Sequence, residues 1–333
     1  MAETVRMKAI AHDGYGPPDD LELRDVDKPS IDERSVLIRV RAAAANPFDW
    51  HLMRGEPSFL RMMGGRNPVG RTPGGDVAGQ VEAVGARVTR FGRGDEVLGV
   101  ASGSFAEYAR SSEKTLVAKP PSISYEQAAA IPVAGCTALQ AVRDHGRLQP
   151  GQRVLINGAA GGVGTFAVQM AKALGGHVTG VCSTRNLELV RSLGADHVID
   201  YTTDDFTRGP TRYDLIVQLA GNRTMAELRG ALTRDGHIVV VGGGTGREVD
   251  EDGGLWELMS LMLKGMVLSR FVRPRELMFF ATIRQGDLRF LTDLIVKGKL
   301  TPVIDRTYPL ANAADAIRHL ETGHARGKVI VTI

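Results

Sequence analysis

The chain contains only two cysteines, Cys136 and Cys182, among 333 residues. Two thiols exclude both a disulfide framework and a four-cysteine structural zinc site, and each reads as a small core residue. Long apolar runs are missing too: no stretch reaches the roughly 18 apolar residues of a membrane span. The opening residues, MAETVRMKAI, lack an apolar signal core and the Arg- and Ser-rich pattern of a transit peptide, so a cytoplasmic protein is expected. Aromatic residues make up only 5%, and neither charge sign dominates, with 41 basic residues against 38 acidic ones for a net charge of +3. Charge so evenly interspersed argues against a nucleic-acid partner. One local absence is more telling. Between Gly158 and Glu188 there is no acidic residue at all.

Glycine is plentiful, at 40 residues, and its densest cluster falls in mid-chain. Val154-Leu155-Ile156-Asn157 reads as an apolar strand that runs into Gly158, Gly161, Gly162 and Gly164, and an apolar helix follows through Phe166, Ala167 and Val168. Glycines let a backbone turn tightly and approach a pyrophosphate, and the helix N-terminus presents free N–H groups to it. The spacing is G-x-x-G-x-x-G, and a plain strand–turn–helix shares it, so the setting must carry the reading.

Length allows two domains with separate cores. The first 130 or so residues hold short strands at 36–42, 79–85, 95–100 and 104–109, punctuated by glycine and proline, which suggests a barrel-like β domain. Pro120-Pro121 breaks the pattern and a helix begins near Ser124. From about residue 133 strands and helices alternate: strand 153–157, helix 162–174, strand 177–182, helix 186–193, strands 197–200 and 213–218, helix 222–232, strand 237–241. That alternation predicts βαβ units in a parallel, doubly wound sheet. In the tail, helical patterns at 274–284 and 287–297 precede a strand near 299–306, a helix at 311–322 and a last strand at 327–333.

Several motifs stand in one order: Asn46-Pro47-Phe48-Asp49, Gly75-Asp76-Val77-Ala78-Gly79, Gly94-Asp95-Glu96-Val97, Gly103-Ser104-Phe105-Ala106-Glu107-Tyr108, Ala134-Gly135-Cys136-Thr137-Ala138, the glycine turn, Leu193-Gly194-Ala195-Asp196-His197-Val198-Ile199-Asp200-Tyr201, and Gly327-Lys328-Val329. Together they resemble the medium-chain dehydrogenase/reductase superfamily, within it the zinc-independent quinone oxidoreductases, and Cys182-Ser183-Thr184-Arg185-Asn186 is similar to the branch of the reticulon-4-interacting mitochondrial reductases. The resemblance implies an α/β protein: a GroES-like β-barrel domain from residues 1–132 and 272–333, a Rossmann domain from 133–271, and an active site in the cleft between them. It implies a homodimer as well.

Zinc-using relatives hold their catalytic ion with sulfur and nitrogen ligands. The corresponding positions here are Asn46, Gly75 and Val133, none a good ligand, so a metal-free protein is expected. NAD sites place an acid about 20 residues beyond the glycine turn, on the ribose 2′-OH. This chain instead offers Ser183, Thr184 and Arg185, hydroxyls and a guanidinium suited to a 2′-phosphate, and NADPH is the expected cofactor. By family position, Gly161, Gly162, Val163 and Gly164 contact the pyrophosphate, Tyr201 the phosphate or adenosine, Thr137 the nicotinamide, and Leu219, Gly242, Gly243 and the Ser269-Arg270-Phe271 segment its ribose and carboxamide.

Without a metal, substrates that accept hydride into a delocalised enolate or phenolate are favoured, so a quinone or an α,β-unsaturated carbonyl compound is the expected partner of this oxidoreductase. Asn46 is the candidate donor to the developing oxyanion and Asp49 the group ordering that loop or a water; both equally suit a structural Asn-Pro-x-Asp turn. Phe48, Trp50, Met53, Met62 and Met63 are candidate pocket residues, or simply core. An NADPH-binding structural or regulatory protein and an alcohol or aldehyde dehydrogenase are the alternatives. A short-chain dehydrogenase is set aside, because no tyrosine has a lysine four residues on.

Overall fold

The computed structural model describes residues 5–56, 61, 72–221, 223–241 and 275–333. Two compact units divide the chain: Met1–Val133, Ile283–Gly298 and Pro302–Ile333 form one, Ala134–Thr282 with Lys299–Thr301 the other.

In the first unit β1 (Arg6–Ala11) pairs antiparallel with β2 (Glu22–Asp27). β3 (Ser35–Ala45) is the spine of a larger sheet and runs directly into α1 (Pro47–Arg54). β4 (Asp76–Val84) pairs antiparallel with β3, β5 (Glu96–Val100) with β4, β6 (Tyr108–Ser112) with β3, and β7 (Leu116–Ala118) with β5. Ala42, Ala43, Ala44 and Ala45 of β3 are buried, small enough to admit close layers on both faces. Helix α2 (Tyr125–Ala129) starts at Ser124, whose hydroxyl accepts from the Gln127 N–H while the Gln127 side chain returns to the Ser124 N–H.

The segment expected as a strand at 104–109 joins the larger sheet as β6 from Tyr108, and before that it pairs with β1: Ala106 bridges Ala9, the Ile10 N–H donates to the Phe105 carbonyl and the Glu107 N–H to the Lys8 carbonyl. Ser104 and Phe105 donate their N–H groups to Gly74 and Pro73, and the fully buried Phe105 ring packs among Ile10, Leu21, Met53 and Ile317.

Helix α3 (Pro132–Leu139) spans the boundary, and the second unit begins within it at Ala134. β8 (Arg153–Asn157), α4 (Gly162–Ala173), β9 (His177–Cys182), α5 (Leu187–Ser192), β10 (His197–Asp200), β11 (Tyr213–Gln218), α6 (Met225–Gly230), β12 (Leu232–Val241) and β13 (Arg275–Phe279) follow. All six strands are parallel, in the order β10-β9-β8-β11-β12-β13. Val154, Leu155 and Ile156 are fully buried, as the continuous apolar run of a strand covered on both faces should be.

Two expectations are corrected in this unit. Helix α6 is shorter than 222–232: Thr224 and Glu227 form its capping box, and Leu232 already pairs with Tyr213 of β11. The helical pattern at 274–284 is, over Arg275–Phe279, a sheet strand in register with His237–Val241 of β12. Five residues next to an open parallel edge gain a whole ladder of hydrogen bonds that an isolated short helix cannot offer. For the same reason the units divide after Thr282, whose N–H and C=O both bond the Gln140 side chain, and not at 271/272.

The chain then returns to the first unit through α7 (Gln285–Val296), β14 (Ile304–Pro309), α8 (Ala313–Glu321) and β15 (Lys328–Thr332). β15 pairs antiparallel with β3 and parallel with β14, so the last strand lies beside the first long one. β14 begins later than the expected 299, because Thr301 is held by the Gln169 side chain of α4, at 2.9 and 2.8 Å.

Candidate active site

Within the second unit the glycine turn lies between β8 and α4. Gly158 has φ +90°, a left-handed value costly for any other residue. A Cβ at Gly164 would stand 2.1 Å from the Gly158 carbonyl oxygen, so only glycine lets α4 rest on the turn. At Gly161, by contrast, an added Cβ would meet nothing nearer than 3.6 Å. Gly161 is also the N-cap of α4, with no side-chain cap. The N–H groups of Gly162, Val163 and Gly164 therefore keep no intrahelical acceptor, and the positive end of the helix dipole faces the same open space. A diphosphate suits that cradle: acceptor oxygens for the free N–H groups, and negative charge for the dipole.

The sheet's carboxyl edge supplies the surroundings. The Asn157 amide donates to Gln218 Oε1 at 2.8 Å, a buried pair joining the ends of β8 and β11. Leu219 follows, its N–H on the Asn157 carbonyl at 3.0 Å, and stands against Gly158. Thr137 of α3 is buried at 6% exposure. Gly242, Gly243, Ser269, Arg270 and Phe271, like Met62 and Met63 of the first unit, lie outside the described residues.

Ser183 and Tyr201, eighteen positions apart in sequence, become neighbours because Cys182 pairs in register with Asp200 and the Tyr201 N–H donates to the Cys182 carbonyl at 3.1 Å. Arg185 is exposed beside them, and Tyr201 keeps 43% of its surface in solvent. Ser183 Oγ accepts from the Asn186 amide at 3.1 Å, which leaves its own proton for a ligand. Asn186 is buried, and its Oδ1 has no hydrogen-bond partner. An orphaned acceptor next to a free hydroxyl is what a hydroxyl-rich ligand would complete.

Sequence reasoning passed over Asp200. No acid lies on β9, yet the register of β10 puts a carboxylate beside its last residue. That carboxylate is spent on the protein: Thr202 donates to Asp200 Oδ1 through its N–H at 2.9 Å and its hydroxyl at 2.7 Å, and Thr184 through hydroxyl and backbone. Those hydrogen bonds hold the Asp200 carboxyl below the ordinary range. Thr184 and the motif ending in Asp200-Tyr201 were both visible; that the register of β10 brings them together was not.

The first unit buries a second polar group at the junction of β3, β4 and β15. Asn46 caps α1, and its N–H donates to Asp49 Oδ2 at 2.7 Å. The Asn46 amide donates to Asp76 Oδ2 at 3.0 Å and to the Ala44 carbonyl at 3.3 Å, and its oxygen accepts from Lys328 Nζ. Lys328 also reaches Asp76 Oδ2 at 3.3 Å, and Asp76 Oδ1 accepts from the Val133 N–H at 2.9 Å. The side chains of Asp76 and Lys328 are 0% and 3% exposed. Burial holds the Asp76 carboxyl above its ordinary value, although Lys328, the Asn46 amide and the Val133 N–H each pull it down. Asp49 is pushed up to about 7, first by burial and then by the Asp76 charge, against the Asn46 N–H and Lys328. One ammonium balances one carboxylate, so the second carboxylate takes a proton near neutrality.

Asn46 and Asp49 are thus brought together as expected, but both Asn46 amide hydrogens already have acceptors. A hydrogen bond to an oxyanion would cost an existing one. Met53, a candidate pocket residue, is core at 3% exposure, and Trp50 is half-buried against the same cluster, its ring stacked on His51 at 3.6 Å; Phe48 is 46% exposed. Zinc does not fit here: Asn46, Gly75 and Val133 offer no sulfur or imidazole, and a dication would meet the Lys328 ammonium. Among the described residues no group of three or more His, Cys, Asp or Glu is placed to hold a metal, and no helix is long and apolar enough to cross a membrane.

This site and fold define a class, and comparison with known proteins gives it a family. Residues 32–121 match the alcohol dehydrogenase GroES-like domain, and residues 193–331 a zinc-binding dehydrogenase domain. The chain is 34% identical to a chloroplastic quinone-oxidoreductase homologue of Spinacia oleracea, over 98% of both chains. It is 35% identical to the chloroplastic NADPH-dependent alkenal/one oxidoreductase of Arabidopsis thaliana, over 98% of this chain and 79% of that one. The solved quinone oxidoreductase of Coxiella burnetii superposes with a TM-score of 0.85 at 32% identity, covering 99% of this chain and 100% of that one. The chain belongs to the medium-chain dehydrogenase/reductase superfamily and is a nicotinamide-dependent oxidoreductase.

Proposed function

We propose that this protein reduces quinones or α,β-unsaturated carbonyl compounds with NADPH. The observation that carries the cofactor half is the end of β9: Ser183, Thr184 and Arg185 beside Tyr201, with the adjoining carboxylate of Asp200 engaged by threonines. A 2′-phosphate there meets hydroxyl donors and a guanidinium, where an NAD site would present a free acid to the ribose. When bound, the coenzyme supplies a hydride. Gly162, Val163 and Gly164 hold its diphosphate through backbone N–H groups, Ser183, Arg185 and Tyr201 its adenosine end, and Thr137 and Leu219 its nicotinamide end.

The substrate half rests on the first unit. By resemblance Asn46 corresponds to a ligand position of zinc-using relatives, and here it accepts from the Lys328 ammonium, so the favoured acceptors are those that delocalise the arriving electrons without a Lewis acid. Asn46 acts by holding Asp49 and Asp76 in place, and Asp49, a carboxyl poised near neutrality, is the side chain suited to return a proton to the product or to an intervening water. The relatives' printed activities, on quinones and on alkenals and alkenones, point the same way. We also propose a homodimer, which light scattering would report as twice 35.8 kDa.

Steady-state assays with 1,4-quinones, enones and simple alcohols, each with NADPH and NADH (NADP⁺ and NAD⁺ for the alcohols), test the reading. Reduction of quinone or enone, with kcat/KM higher for NADPH, is expected. Alcohol oxidation alone would overturn it, and tight NADPH binding without turnover of any acceptor would replace it by a binding or regulatory role.

A further inference from the structure

Asp200 poses a problem that the NADPH reading leaves open. A carboxylate adjoining a subsite for a doubly charged phosphate should repel it. Its surroundings show a different use. The side chain is 9% exposed, and its acceptor capacity is filled by Thr202 N–H, Thr202 hydroxyl, and the hydroxyl and N–H of Thr184. The two threonine hydroxyls lie 3.0 Å apart and close a ring around it. Thr184 opens the turn after β9, and Thr202 opens the turn after β10. One carboxylate therefore fastens two loops that share no ladder hydrogen bond beyond the strand ends. Further anchors converge on the same residue: the N–H groups of Thr203 and Asp204 donate to the Asp200 carbonyl at 3.2 and 2.8 Å.

We propose that Asp200 is the positioning residue of the 2′-phosphate subsite: by gathering Thr184 and Thr202 it holds Ser183, Arg185 and Tyr201 in the arrangement that selects the phosphorylated coenzyme. The inference rests on the NADPH reading above and goes beyond it by assigning selectivity to a residue of the sign opposite to the one a phosphate site calls for. Thr202 and Thr184 spread the negative charge into the protein, and the arrangement they fix presents Ser183, whose proton is free, beside Tyr201. Preorganised donors bind more tightly than donors that must be ordered by the ligand.

The sign of one substitution separates positioning from simple repulsion. Asp200→Asn removes the charge and turns one acceptor into a donor facing Thr184. If the carboxylate only repelled phosphate, the variant would bind 2′,5′-ADP more tightly. If it positions the loops, affinity for 2′,5′-ADP falls about tenfold, while 5′-AMP, which lacks the 2′-phosphate, binds within about twofold of the parent. Calorimetry of the full chain with both nucleotides reads this without turnover, and the ratio of KM for NADPH and NADH at unchanged kcat repeats it in catalysis. Retained 5′-AMP binding certifies the fold. Should Asp200→Asn not fold, Thr184→Val keeps the charge, removes one donor, and is expected to lower 2′,5′-ADP affinity about threefold. An unchanged or tightened 2′,5′-ADP affinity, or equal losses for both nucleotides, overturns the inference alone. A parent protein that binds 2′,5′-ADP no better than 5′-AMP overturns the NADPH reading and takes this inference with it.

Discussion

Two polar groups in this molecule are built from similar residues and do opposite things with their hydrogen bonds. At the ends of β9 and β10 the groups are partly exposed: Ser183 keeps a proton, Tyr201 a face, Asn186 an acceptor. At the junction of β3, β4 and β15 they are buried, and Asn46, Asp76 and Lys328 spend their hydrogen bonds on one another. The first group is open to a ligand and adds little to folding. The second adds to folding, and Asp49, buried within it and pushed up to about 7, keeps a proton to exchange. Composition does not tell a binding site from a structural one; unspent donors and acceptors do.

The contrast breaks most visibly at Lys328. Replacing it by methionine leaves Asp76 buried without its cationic partner, at the cost of an unpaired charge or of protonating the carboxyl, and is expected to lower stability by about 3–5 kcal/mol in urea unfolding. A loss below 1 kcal/mol would mean the buried group is not structural. Next comes the pH response of Asp49. Its carboxyl lies near 7 in the folded chain, above its unfolded value, so the native state holds the proton more tightly and loses stability as pH rises from about 4 to about 7. The full span is about 4 kcal/mol at most. Asp49→Asn should flatten this slope and be the more stable protein at pH 8, which parallel melts at pH 5 and pH 8 would show; a slope unchanged by the substitution would move the titration elsewhere.

Gly164→Ala sits between the two regions in size. Its Cβ would press on the Gly158 and Ala159 backbone, and about 1–3 kcal/mol of stability together with diphosphate binding is expected to go. Thermal melts with and without NADPH check both. The smallest effect on folding belongs to Arg185→Ala at the exposed strand ends, within about 0.5 kcal/mol. Its affinity for 2′,5′-ADP is nonetheless expected to fall about tenfold, by calorimetry. A stability loss at Arg185 matching that at Lys328 would erase the distinction between the two groups.

How far each region was legible follows from the distances along the chain. The glycine turn, strand 153–157 and strand 213–218 are set by neighbouring residues, and the structure has them where periodicity and punctuation put them. The strand at Arg275–Phe279 was misread because its reason to be extended lies at His237–Val241, on another strand. Asn46 and Asp49 were visible as a turn motif, but whether the amide was free to donate depended on Lys328, which meets it from the other end of the chain.

Sequence alone determined that a glycine-dense turn joins an apolar strand to an apolar helix, that no acid follows it on β9, and that Asn46, Gly75 and Val133 are not zinc ligands, because each is a property of residue type at a short spacing. Tertiary structure decided that Asp200 stands beside Cys182, that Lys328 closes on Asp76, and that β13 completes the parallel sheet. Those facts depend on strand register, and register is settled by the packing of whole faces across long stretches of chain, which no local pattern encodes.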